Sequence, residues 1–140
     1  MRPYDPLYLA FVYEFNVNRD YYECHEVMET LWLEEGRKPF YQGLLQIAVG
    51  LYHHLNANVS GAVKLMESGI AKLQGYPDRL LGIDVALLLL DAEAYLVKLR
   101  NNGARPFEPY PLEIRIVDED LAGRVRQIQS ERAADEEESG

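Results

Sequence analysis

Residues 42–54, Gln-Gly-Leu-Leu-Gln-Ile-Ala-Val-Gly-Leu-Tyr-His-His, are apolar on almost every side of a helical wheel. A helix of that kind has no solvent face and must be covered all round. It therefore belongs at the centre of a helical assembly. Gly43 and Gly50, seven residues apart, would let a covering helix come close.

The covering helices announce themselves by their ends. Asp5-Pro6 pairs an N-cap with a first-turn proline. It opens a helix that reaches about residue 15 and is broken by Asn16-Val17-Asn18. Asp20 or Asn18 caps a second helix that stops at Glu35-Gly36. Pro39 opens the central helix, which runs to about Asn56. Asn58 caps a fourth over residues 59–73, and Asp84 a fifth over residues 85–101. Short links between such helices predict an antiparallel bundle.

From Arg105 the pattern changes. Pro106, Pro109 and Pro111 force extended backbone. Leu112, Ile114 and Ile116 then alternate with charged residues, but no partner strand is in view. The fold class is therefore all-α: a single compact bundle of about five helices over residues 1–104. Residues 105–140 form an extended arm in the same domain, with a short helix near residues 119–130 and a disordered acidic tail.

Composition narrows the function. At 140 residues with net charge −9, the chain lacks the basic patch that nucleic acid or an anionic membrane requires. The apolar run 85–90 is too short to span a bilayer. A single cysteine and the absence of a signal-peptide pattern fit a cytoplasmic protein. Cys24 reads as a buried small hydrophobe rather than a nucleophile.

A polar stripe supplies the candidate site. With His25 at zero on the wheel, Trp32 falls near −20°, Glu29 near 40° and Tyr22 near 60°. His25 and Glu29 are thus expected in the middle of a greasy face, with Glu26 at its edge. On the central helix Gln42, Gln46 and His53 lie within about 40° of one another. Two helices that each bury a polar row should face each other, because buried polar groups need partners. His54, about 100° from His53, is expected at the rim.

Three readings of the locus stay open. It is a sealed hydrogen-bond network that fixes packing, or a metal site, or a metal-free His–Glu acid–base pair. His25, Glu29 and His53 would suit zinc, iron or manganese. The chain lacks the paired Glu-x-x-His of di-iron bundles and the His-Glu-x-x-His of zinc proteases. The spacing of Arg19 and His25 also resembles the Arg-x(4–6)-His signature of helical ribonucleases, against which the acidic composition speaks.

The motifs together resemble a known family. Phe15-Asn16, Tyr22-Glu23-Cys24-His25-Glu26, Glu29 and Trp32 are followed by Phe40-Tyr41-Gln42-Gly43-Leu44-Leu45-Gln46-Ile47-Ala48, Tyr52-His53 and Asn58 through Gly61-Ala62. This combination resembles the bacterial and archaeal domain of unknown function 309, over about residues 15–73. The resemblance implies a compact all-helical domain and no assigned activity. It implies His25, Glu26, Glu29, Gln42, Gln46 and His53 as the polar motif positions. Cys24 stands where the family usually has a small residue such as alanine.

The expected function is a pocket between the second and third helices that binds a metal ion or small molecule, with Tyr22 and Trp32 at its border. The alternative is a structural or homodimeric protein that touches its partner through the fifth helix or the arm. Whether the locus is open or sealed decides between them.

Overall fold

The computed structural model describes residues 4–139. Met1–Pro3, at the start of the expected bundle, and Gly140, at the end of the expected tail, lie outside the described residues. Among the described residues six α-helices make the fold: α1 (Pro6–Tyr13), α2 (Tyr21–Glu34), α3 (Pro39–Leu55), α4 (Val59–Leu73), α5 (Val85–Arg100) and α6 (Glu119–Ser139). The all-α expectation holds. A two-stranded ribbon, β1 (Arg79–Leu80) and β2 (Ile83–Asp84), joins α4 to α5.

The helix starts follow their caps. The carboxylates of Asp5, Asp20 and Asp84 accept from the amides of Leu7, Glu23 and Leu87 at 2.8, 3.0 and 2.9 Å. The Asn58 side chain accepts from Gly61 at 3.0 Å. Gly36, at φ +76°, ends α2 as its position suggests.

α3 packs against α2 on one side and α4 on another, but it is not covered all round as expected: Gln42, Gln46, Val49, Tyr52 and His53 are only half-buried. Its two glycines are where α4 comes closest. A Cβ at Gly43 would stand 2.8 Å from the Leu73 side chain, and one at Gly50 3.0 Å from Met66. Phe11, Phe15, Met28, Leu31, Ile47 and Leu73 fill the core around it.

Three elements depart from expectation. α1 does not break at Asn16; the chain widens into a π-helical turn, Glu14–Asn18, and ends at Arg19 with φ 56°. The turn is held because Asn18 donates to the Glu14 carboxylate at 2.8 Å. Asn16 is taken up by the arm: its Nδ2 donates to the Ile114 carbonyl (2.7 Å) and its Oδ1 accepts from the Ile114 amide (2.8 Å).

The arm also finds a strand partner. Ile116 bridges Ile83 of the β1–β2 ribbon, and Val117 donates to the Gly82 carbonyl at 2.8 Å. The ribbon was invisible beforehand because its strands are two residues long. Its turn is Leu81-Gly82, both at positive φ, the geometry of a tight hairpin.

The expected short helix and disordered tail are one helix, α6, running through Ser139. It lies on α1. Leu121 and Val125 bury against the core. Further along, the Arg132 guanidinium covers the Tyr13 ring at 4.7 Å and pairs with Glu14 at 2.9 Å. Among the described residues no helix is long and apolar enough to cross a membrane.

Candidate functional site: the open face of α2 and α3

α2 buries Tyr21, Cys24, Met28 and Leu31. On the wheel these centre about 80° away from His25. The expected burial of His25 and Glu29 is therefore corrected. Their side chains are 37% and 48% exposed, and that of Glu26 is 51% exposed. Trp32 and Leu33 suggested the wrong phase. Trp32 is only half-buried, with Arg37 over its ring at 5.3 Å, and Leu33 is exposed.

His25 ties the flank together. Its Nε2 lies 2.9 Å from Glu29, one turn on, and its Nδ1 lies 3.4 Å from Glu26. Tyr22 is exposed beside it, with ring centroids 6.4 Å apart. The charge of Glu26 is the main cause that raises the Tyr22 pKa.

The four-residue link makes α2 and α3 an antiparallel hairpin. Their polar rows meet at one end, where the rings of Tyr22 and Tyr52 lie 6.0 Å apart. His53 follows Tyr52 at 6.2 Å, and its Nδ1 lies 3.4 Å from the Asn58 amide. A line of rings thus runs from His25 through Tyr22 and Tyr52 to His53.

The expected convergence is partial. Gln42 and His53 are eleven residues apart, which is about 16 Å along α3. Gln42 and Gln46 are half-buried on the earlier turns. The Gln46 Oε1 and the Trp32 Nε1 are both buried without a hydrogen-bond partner. Among the described residues, no three His, Cys, Asp or Glu side chains are grouped to hold a metal ion. Of the expected metal set His25, Glu29 and His53, the first two are in contact, while His53 is bonded to Asn58.

Cys24 is fully buried and its thiol contacts the Phe11 carbonyl at 3.8 Å. Burial, aided by the charges of Glu14, Asp20 and Glu23, pushes its pKa far up. The thiol is packing, as its composition suggested.

Two side chains escaped sequence reasoning. His54 is not at the rim; it is 5% exposed, hydrogen-bonded to the Tyr95 hydroxyl and packed on Phe107 at 4.6 Å. Burial lowers its pKa, and Glu108 opposes that shift. The apolar wheel of α3 carried the signal, but the partners lie on α5 and the arm. Glu14 is 1% exposed. Its only sequence cue was a place inside the run Val12-Tyr13-Glu14-Phe15.

Comparison with known proteins agrees with the resemblance read from the motifs. Residues 8–65 match the family model described as "Domain of unknown function (DUF309)". A stretch of 74 residues is 43% identical to "Uncharacterized protein YpuF" of Bacillus subtilis (strain 168), covering 51% of this chain and 42% of that protein. The chain thus spans less than half the length of this relative. No solved structure matches.

Proposed function

We propose that this chain, whose motif-bearing stretch is the one matched above, is a binding module that takes a positively charged ligand on the open face of α2 and α3. One observation carries the reading. α2 and α3 contain no lysine or arginine, while Glu26 and Glu29 bracket His25 on a solvent-reachable flank. A cation meets no like charge from either helix; Arg19, just before α2, shares a depression with Tyr22 and Tyr52, so the cation is placed toward Glu26 and Glu29. The Tyr22 and Tyr52 rings offer π faces that attract an organic cation. The imidazole and carboxylate one turn apart offer a two-point chelate for zinc, iron or manganese, leaving further positions to water. Exposure of the flank favours binding over a sealed packing network. The free, buried Cys24 suits the cytoplasmic setting.

Calorimetric titration of untagged protein with Zn²⁺, Mn²⁺ and spermidine tests the proposal. Saturable binding should weaken at least tenfold in Glu29→Gln, with the ligand-free Tm unchanged because Glu29 is exposed. Loss in His25→Ala assigns the site to metal, and loss in Tyr22→Ala assigns it to the organic cation. No binding of any of the three, or binding indifferent to Glu29→Gln, overturns it.

Self-association through α5 is the second reading. Leu90 and Val97, two turns apart on that helix, are exposed. Sedimentation equilibrium of wild type and Leu90→Glu decides it: a dimer lost in the variant supports the reading, and a wild-type monomer removes it.

A further inference from the structure

A second concavity lies at the end of the bundle, where α2 begins, α3 ends and the proline-rich arm crosses. Its volume is about 190 Å³. Leu51, Leu55, Tyr95, Pro109 and Pro111 make its walls, which are mostly apolar. Arg19, Tyr21 and Tyr110 complete the lining.

Tyr21 is 5% exposed; its buried hydroxyl makes no hydrogen bond of good geometry, and the Arg19 side chain is the polar group beside it. A buried hydroxyl left without a good hydrogen bond costs free energy, which a ligand acceptor would recover. Arg19 stands immediately before α2, at φ 56°. A non-glycine residue held there is strained, and strain of this kind gathers at functional sites. Its guanidinium reaches the Leu112 carbonyl only at 3.5 Å. The same charge partly offsets the rise that burial imposes on the Tyr21 pKa, so the two polar groups are neighbours. The nearest acid in sequence, Asp20, is occupied in capping Glu23. The amino end of α2 adds its partial positive charge.

We propose that this cleft binds a small carboxylic acid carrying one ring. The carboxylate pairs with Arg19 and accepts a hydrogen bond from the Tyr21 hydroxyl, which keeps its proton, while the ring lies between the leucines and the prolines. Size sets the body: a cavity of about 150 Å³ holds benzene, so this volume admits one ring and its carboxylate.

Benzoate is the probe, with benzamide as its uncharged counterpart, titrated into ¹⁵N-labelled full-length protein. Saturable shifts should be confined to Tyr21, Leu51, Leu55 and Tyr110, with benzamide at least tenfold weaker. Arg19→Gln should weaken benzoate at least tenfold. Tyr21→Phe should weaken it several-fold while leaving the Tm equal or higher, because the hydroxyl makes no good hydrogen bond in the ligand-free protein. A lower Tm in Tyr21→Phe would show the hydroxyl to be structural. Glu29→Gln should bind benzoate as wild type does, which separates this site from the acidic face. Shifts scattered over the surface, equal binding of benzamide, or indifference to Arg19→Gln overturns the proposal.

Discussion

Among the described residues, Glu14 and His54 are the polar side chains outside the tyrosines that the fold removes from water. Glu14 has a partner at each oxygen: the Arg132 guanidinium lies 2.9 Å from Oε1, and Asn18 donates to Oε2 at 2.8 Å. Glu14→Gln keeps the shape and removes the charge that Arg132 answers. It should cost about 1–3 kcal/mol in urea unfolding. His54 is held neutral by burial, so its folded pKa lies below its unfolded value. Its contribution is complete above about pH 6.5 and is lost as pH falls through the folded pKa. The Tm gap between wild type and His54→Gln should therefore narrow as pH drops from 7.5 to 5. For both residues one partner lies far off in sequence, Arg132 for Glu14 and Tyr95 for His54, which local patterns do not reveal. The partly exposed His25 was misplaced for a different reason. The wheel gives angles without an origin, and Trp32 supplied a false one.

At the scale of elements, the two glycines of α3 separate packing from propensity. Alanine at Gly43 would strike Leu73 at 2.8 Å and the Gly69 carbonyl at 3.2 Å, and a backbone oxygen cannot swing aside. Alanine at Gly50 meets the Met66 side chain at 3.0 Å, which is flexible. Gly43→Ala should cost about 1–3 kcal/mol. Gly50→Ala should be near neutral, because about 1 kcal/mol of helix propensity offsets the crowding. Urea midpoints of the two variants check the ordering. Caps and breakers made most helices legible, since each is a local signal. Residues 59–73 of α4, framed by Asn58 and Gln74-Gly75, came out to the residue. The β1–β2 ribbon did not, because its strands are two residues long and the bridge that supports them comes from Ile116, more than thirty residues on.

Across the whole molecule, the last element closes on the first. Tyr4 donates to the Asp118 carboxylate, Tyr8 to the Leu81 carbonyl, and α6 lies along α1. Ending the chain after Asp118 removes the buried Leu121 and Val125. Their burial is worth about 3–6 kcal/mol, an upper bound because freeing α6 returns its chain entropy. The truncated chain should show a lower urea midpoint and faster amide exchange in α1. The closing elements lie beyond the stretch matched to the family, and the sequence announced α6 only as a fragment. Its charged outer half follows no apolar period; Arg132 extends the docking through Glu14 and Tyr13 instead. The amide of Asn16 carries this closure one step further. It offers Ile114 one donor and one acceptor, as the edge of a peptide unit would. Asn16 thus sets the register of the arm at Ile114. An insertion of one residue between Pro111 and Ile114 would turn the wrong side chain inward, so length variation in such chains has room only upstream, among the prolines.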